Sequence, residues 1–447
     1  MDQSRPEQDR PHRLFLGVNA SATGHAWIHR LDQRAENLAL MIEQDNGLSP
    51  VIARILAGRG VSAADATRFL DPTIRDLLPD PMTLTDMEKL AGRLADAILN
   101  RETVAIFGDY DVDGACSSAI LKRFLGHYGI EAGIYIPDRI FEGYGPNPDA
   151  MRELARRASL IVTVDCGSTS HLAISAAREA GADVLVIDHH QLGEALPDAN
   201  ALVNPNRSDD LSGQGHLCAA GVTFLVLVQT ARVLGDRAGS TPDLLRLLDL
   251  VALATVCDVV PLVGVNRAFV VKGLLQARRL ENPGLAALAR VARIGEPLSP
   301  FHFGYVIGPR INAGGRIGDA ALGSRLLTLA DANEANEIAE RLDALNAERQ
   351  AMEKAMLAEA MAEADAELAG GDGPAIMVTA SDRWHPGIVG LIAARLKEHA
   401  HRPAFAIHFQ PNGQGTGSGR SISGFDLGAL VREALDAGLL VKGGGHA

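Results

Sequence analysis

Three short apolar runs in the first half of the chain each end on an acid: residues 103–108 before Asp109, 160–164 before Asp165, and 184–187 before Asp188. Runs of this length, rich in Val and Ile, predict buried strands. They alternate with helical patterns over residues 115–128, 149–158 and 171–180, and a fourth strand-like run, GIYIP, falls between the first two helices. Strand and helix in alternation predict βαβ units, hence an α/β fold with a parallel sheet and helices on both faces. Ligands of such sheets bind outside the carboxyl ends of the strands, which is where the acids stand.

The rest of the pattern frames that sheet. Helical periodicity at 34–44, 50–56 and 63–70 predicts a small helical preface behind a polar tail, together residues 1–80, and 87–100 is an amphipathic helix leading into the first strand. Residues 221–234 and 244–256 are apolar almost all round and predict buried helices. Residues 330–368 are rich in Ala, Glu, Leu and Met, lack Gly and Pro, and stop at the breaker Gly370-Gly371-Asp372-Gly373-Pro374. Such a helix would be about 55 Å long and predicts a connector between domains rather than a core helix. Beyond it AIMVTA, a helix over 387–398, PAFAIHF and a Gly-rich stretch begin a second, smaller α/β domain. The expected division is 1–80, 81–328 for the sheet domain, 329–370 for the connecting helix and 371–447 for the second domain. The chain ends on the glycine-rich Gly443-Gly444-Gly445-His446-Ala447, which predicts a fragment whose last domain is incomplete.

Composition narrows the class. A length of 447 residues predicts two or three domains, and 47% hydrophobic with 22% charged residues is a globular balance. No run approaches the roughly 20 uncharged apolar residues of a membrane span. The opening MDQSRPEQDRPHR has no apolar stretch behind it, against secretion. Cys116, Cys166, Cys218 and Cys257 lie far apart without CxxC spacing, so neither a disulfide framework nor a thiolate zinc site is expected, and a reducing cytoplasm fits. A net charge of -13 argues against coating nucleic acid through a basic surface. It leaves room for a nucleic-acid enzyme, because acids gathered as metal ligands become locally positive once loaded.

The acids carry the chemistry. Asp109-Tyr110-Asp111-Val112-Asp113-Gly114 matches the first half of an EF-hand loop, yet the position that needs a bidentate Glu is Ile120 and a β-branched run stands where a helix should precede. The better reading is a strand-to-helix turn with alternating acids, Gly114 freeing the backbone as the helix begins. Carboxylates one residue apart can reach two metals roughly 3.5–4 Å from each other, with Asp165 as the natural bridge. His189 adds an imidazole and tilts the preference from magnesium toward manganese or another transition metal. A single Asp at a strand end is more often a helix N-cap, but three strand ends with seven candidate ligands are not so explained.

These residues also carry a resemblance. DYDVDG, VDCG, DHH and CDVVPL resemble the successive motifs of the DHH phosphoesterase superfamily. GPRINAGGRIGDA, SDRWHPGIVG, GRSISGFDL and the terminal GGGHA are similar to motifs of its RecJ branch, single-strand-specific 5′-to-3′ exonucleases built of DHH and DHHA1 domains. The similarity runs in order from about Val51 to the last residue. It implies that Asp111 and Asp113 each hold one of two divalent ions, Mn2+ or Mg2+, and that Asp165 bridges them. His189 and Asp258 would complete the second ion's shell, Asp109 would support the first, and Asp188 would orient His189. His190 would face the scissile phosphate. Asp258, by itself, reads equally as a metal ligand and as a capping or solvated acid.

Arg310, Asn312 and Arg316 are expected in a Gly-rich, Pro-containing loop, where guanidinium forks suit phosphate oxygens. Arg420 and Ser421, with the backbone amides of Gly444, Gly445 and His446, are expected to hold further phosphates, and Trp384 and His385 a phosphate or base. The resemblance implies hydrolysis of single-stranded DNA from a 5′ end in recombination and repair, by a cytoplasmic monomer without membrane contact, beside a single-strand-binding protein and a helicase. It also implies continuation into an OB-fold domain, as is normal for the branch. A phosphodiesterase of short oligonucleotides or cyclic dinucleotides is the alternative, and it predicts a shorter chain without preface or connector. A pyrophosphatase would place a His where Phe107 stands, and a scaffold that had lost its metals would lack the ligands found here.

Overall fold

The computed structural model describes residues 13–138, 142, 143, 145–193, 195–369, 373–441 and 443. It divides into two compact units, Met1–Leu77 and Leu78–Ala447. In the first, α1 (Gln33–Asn46) begins where the Asp32 carboxylate accepts a bond from the Ala35 amide at 2.8 Å and ends at Gly47, whose φ of 63° an L side chain rarely adopts. Ser49 and Pro50 start α2 (Pro50–Ala57), followed by the short α3 (Ala66–Leu70) and α4 (Ile74–Leu77). Ile42, Ala53, Leu56 and Ala66 close this small helical core.

The second unit opens with α5 (Met87–Leu99), whose apolar stripe of Leu90, Leu94 and Ile98 is buried. The apolar runs then become strands: β1 (Val104–Gly108), α6 (Val112–His127), β2 (Gly133–Tyr135), α7 (Pro148–Ala155), β3 (Leu160–Val164), α8 (His171–Glu179), β4 (Asp183–Ile187) and β5 (Ala201–Val203). All pair in parallel in the order β2-β1-β3-β4-β5. Alternate residues such as Phe107, Ile161 and Val186 face α7 and α8 in one cluster with Met151 and Ile174. Register decides where the acids go. Gly108 pairs with Val164 and Val164 with Ile187, so Asp109, Asp165 and Asp188 leave the sheet at one level. The chain order reverses between β1 and β3, the switch point at which open sheets bind ligands.

Of the next helices, α9 (Ala219–Leu234) packs on α5, α6 and β4, α10 (Leu248–Cys257) on α6 and α11 (Gly264–Ala277), and α12 (Pro283–Val291) on the helices that follow it. Among the described residues one segment, Ala219–Ala238, is long and apolar enough to cross a bilayer, and most of it is buried inside the fold. A π-helical segment, His302–Ile307, leads into α13 (Gly308–Ile317), then α14 (Leu322–Thr328) and the 37-residue α15 (Ala332–Leu368). The expectation that this long helix is no core helix needs correcting. Its first half buries Ile338, Leu342 and Leu345, and its second half contributes Met356, Ala360 and Ala364 to the core of the second sheet. That sheet pairs β6 (Met377–Ser381) and β7 (Ala404–Phe409) in parallel, with α16 (Val389–Ala400) across it, and adds β8 (Gly415–Arg420) antiparallel. A final helix, α17 (Leu427–Asp436), starts where Asp426 caps the Ala429 amide.

Candidate metal centre

The β1–α6 turn folds tightly on itself. A Cβ at Gly114 would fall 2.5 Å from the Asp109 carbonyl oxygen, so glycine is needed for the close approach. Asp111 is the N-cap of α6 and accepts from the Gly114 amide at 3.0 Å. Asp113, in the first helical turn, is buried, and its two oxygens accept from the Ala219 and Ala220 amides at 2.6 and 2.8 Å. Those amides are the first of α9, so the positive end of a second helix faces this carboxylate. At the tip of β3 Asp165 is held at φ 61°, a strained left-handed conformation of the sort that persists where surroundings enforce it.

The Asp188-His189-His190 turn completes the cluster. His189 Nε2 lies 3.3 Å from Asp165 Oδ1, 3.7 Å from Asp113 Oδ2 and 3.8 Å from Asp258 Oδ2. Asp258 arrives from the end of α10, 69 residues after His189 in sequence. Asp188 does not take the role expected of it. Its Oδ1 accepts from the His190 ring Nδ1 at 2.8 Å and from the His189 and His190 backbone amides, and its Oδ2 accepts from the Ser168 amide. The ring it orients is therefore His190, because the turn sends the His189 ring to the acids on the other side.

Two residues that the sequence reading misses secure this turn. Asn204 donates from Nδ2 to the His190 carbonyl at 2.9 Å and to Ser168 Oγ at 2.9 Å, and Asn206 donates to the His189 carbonyl at 2.5 Å. Both follow β5, and the NPN after a short apolar ALV is the available signal.

Charge is concentrated here. Burial raises the pKa of Asp165 well above the carboxylate range, and Asp113, Asp111 and Asp109 push it further. Asp113 is raised by burial, against the pull of His189, and Asp258 is raised to about 8 by burial and then by Asp113 and Asp111. Burial opposes ionisation of both Asp188 and His190, yet their mutual hydrogen bond wins: Asp188 falls below its ordinary range and His190 rises to about 9. The donors form three overlapping groups, each with ligand atoms within 4.8 Å of one another: Asp109, Asp111 and Asp165; Asp113, His189 and Asp258; Asp165, His189 and His190. Hard carboxylate oxygens with one or two imidazoles, crowded enough to repel, are a donor set that fits divalent cations.

The expected substrate residues are more scattered. Residues 308–317, expected as a loop, form α13. Their glycines serve close packing instead of turning: a Cβ on Gly308 would meet Cys257 Sγ at 2.6 Å and one on Gly315 the Tyr110 carbonyl at 2.8 Å. Arg310 donates to Asp343 Oδ1 of α15 at 2.8 Å and to the Val306 carbonyl. Asn312 is half-buried with its Oδ1 enclosed and unbonded, and Arg316 donates to the Gly387 carbonyl at 3.2 Å. Trp384, expected at a phosphate or base, is instead 2% exposed in the core of the second sheet, where its Nε1 donates to Glu359. His385 accepts the Gly387 amide at its Nδ1, and burial followed by His408 lowers its pKa. Arg420 ends β8 next to Gly390 of α16, and Ser421 Oγ donates to the Phe425 carbonyl. Gly444, Gly445 and His446 lie outside the described residues. All four cysteines are unpaired, with burial raising each thiol.

Acid-tipped parallel strands, with a second small sheet beyond a long helix, define the DHH class: residues 103–255 match the DHH family, N-terminal domain, and residues 372–447 match the DHHA1 domain. The single-stranded-DNA-specific exonuclease RecJ of Escherichia coli K12 is 38% identical over 417 residues, covering 90% of this chain and 71% of that protein. That of Bacillus subtilis 168 is 37% identical over 403 residues, 89% of this chain and 49% of its own length. Among solved structures, RecJ of Thermus thermophilus in complex with Mn2+ superposes with a TM-score of 0.77 at 32% identity, covering 92% of this chain and 57% of that one. An exonuclease RecJ bound to manganese gives 0.69 at 35%, covering 81% and 88%. The chain belongs to the RecJ family. It spans between about half and about seven tenths of the length of the two named relatives.

Proposed function

We propose that this protein is a metal-dependent exonuclease that hydrolyses phosphodiester bonds of single-stranded DNA from the 5′ end. The observation that carries the proposal is the meeting of two donor groups at Asp165 and His189, in a chain of the RecJ family. Asp111 with Asp109 would hold one Mn2+ or Mg2+ ion, Asp113 with His189 and Asp258 a second, and Asp165 would bridge. When bound, the ions lower the pKa of water so that hydroxide is available near neutral pH, and they offset charge building on the phosphate. The chain's own groups set the geometry. The α9 amides fix Asp113, Asn204 and Asn206 fix the histidine turn, and Asp188 holds His190 so that its ring can offer an N–H to the scissile phosphate.

Arg316, Asn312, Arg420 and Ser421 would hold flanking phosphates, with Gly444, Gly445 and His446 extending the grip. The same reading divides the chain at residues 80, 328 and 370, into preface, DHH domain, connecting helix and DHHA1 domain. It has the protein acting as a cytoplasmic monomer, in keeping with four unpaired thiols. An enzyme confined to single strands also needs duplex opened and strands kept open, which is the work of a helicase and a single-strand-binding protein.

The test is hydrolysis of 5′-labelled single-stranded DNA, duplex DNA and a dinucleotide with Mn2+, Mg2+ or EDTA. Mononucleotides released from the 5′ end of the single strand, only with metal, are expected. Cleavage that persists in EDTA defeats the two-metal assignment, and preference for the dinucleotide defeats the single-strand assignment.

A further inference from the structure

The helix that carries Asn312 and Arg316 starts irregularly. The π-helical stretch His302–Ile307 precedes it, and π turns inside α-helices concentrate at functional sites. This stretch is pinned beside the metal centre: Cys257 Sγ donates to the Phe303 carbonyl at 3.3 Å, and the next residue after Cys257 is Asp258. On its outer side Phe301 and Tyr305 stack on each other, ring centroids 5.4 Å apart at 26°, while 62% and 76% exposed. Two large aromatic faces ordered in open solvent are poorly explained by folding alone.

Helical spacing aligns residues 301, 305, 309, 312 and 316 on one stripe, and each of them is open or half-open. One end of the stripe is the aromatic pair. The other is Arg316, next to Gly315, which packs on Tyr110 between Asp109 and Asp111. We propose, resting on the nuclease reading, that Phe301 and Tyr305 are a stacking platform for bases of the single strand, leading it along α13 toward the metal centre. Every base has a π face, so stacking grips a strand of any sequence. Bases of a duplex are already stacked on one another, so the platform also favours single strands. Phosphates on the same track are left to Asn312 and Arg316.

The experiment pairs a variant with a modified substrate. A twelve-nucleotide strand is made with an abasic site at each position in turn, which keeps phosphates and removes one stacking face. Wild-type protein is expected to lose roughly tenfold in kcat/KM at the one or two positions that meet the rings. In Phe301→Ala/Tyr305→Ala the intact strand should show a raised KM with kcat kept, and the abasic penalty should vanish. Tyr305→Phe, which keeps the ring, should behave as wild type. An abasic penalty equal in variant and wild type, or an unchanged KM, overturns the platform. Fluorescence quenching of 2-aminopurine strands in EDTA reads binding without catalysis. A protein that stacks the probe at these rings yet never cleaves would sink the nuclease reading alone, and one that cleaves without ring-dependent quenching would sink the platform alone.

Discussion

In the five-stranded sheet every residue of β1 and β3 is buried, whereas β8 of the three-stranded sheet has no buried residue at all. The same polymer has been finished in two ways. Strands enclosed on both faces hold Asp109 and Asp165 with little freedom, which ligand geometry requires of groups that must meet within a few Å. On β8, Gly415, Gly417 and Gly419 lie under Ile407, Phe409 and Phe405, so that polar Ser418 and Arg420 form the opposite face beside Gly390. The first sheet fixes atoms, and the second offers a shallow polar surface. They are joined through α15, which is buried in both regions, and by a close contact at Gly387, where a Cβ would fall 2.1 Å from the Arg316 carbonyl oxygen.

The largest effect should come from the enclosed sheet. Asp165→Asn is expected to lower hydrolysis by roughly three orders of magnitude or more, as when one member of a catalytic unit is lost. Because it removes a buried, repelled carboxylate, the same change should raise the melting temperature in EDTA, and calorimetry checks that opposite sign. A variant that lost activity by losing its fold would melt lower instead.

Gly387→Ala tests the joint. The new methyl must push the second sheet off α13, at a cost of about 1–3 kcal/mol of stability. Steady-state kinetics should show KM for a long strand rising several-fold more than KM for a dinucleotide. An equal rise for both would mean that the second sheet takes no part in gripping the strand.

The smallest effect asks whether buried charge in the first-sheet region is confined to the site. Asp249, in the first turn of α10, is 3% exposed, and burial lifts its pKa to about 6 against the partial help of Arg123. A folded pKa above the ordinary 3.8 means that the stability it contributes is full below pH 3.8 and lost as pH rises through 6. Asp249→Asn should therefore gain on wild type between pH 4 and 6.5 by roughly 1–3 kcal/mol, read as the difference in urea midpoints. A difference that does not change with pH would place the strain elsewhere.

Legibility in the sequence follows the same divide. Runs such as LIVTV and DVLVI announce strands because both faces are buried, and their terminal acids follow from register. GTGSGR carries no such signal, since its glycines are chosen by the side chains of the neighbouring strand, and the three-residue β5 is too short to read. α13 reads as a loop because glycine permits turns and close packing alike, and only the neighbours, Cys257 and Tyr110, tell which. From sequence Asp188 pairs with the wrong ring, because one-residue differences in direction at a turn are set by backbone dihedrals. The α9 amides that fix Asp113 stand more than a hundred residues away and have no side-chain signature.

With Gly308, Gly314 and Gly315 among its ten residues, α13 forgoes about 1 kcal/mol per glycine relative to alanine and would not persist as a free peptide. Its order is borrowed from Tyr110 on one side, the Gly387 loop on the other, and α15, whose Leu342 lies against Gly314 and whose Asp343 holds Arg310. Loosening either neighbour should let its amides exchange with deuterium at the rate of a frayed end. The segment thus reports on its surroundings: a change beside Tyr110 or at the Gly387 loop reaches the same ten residues.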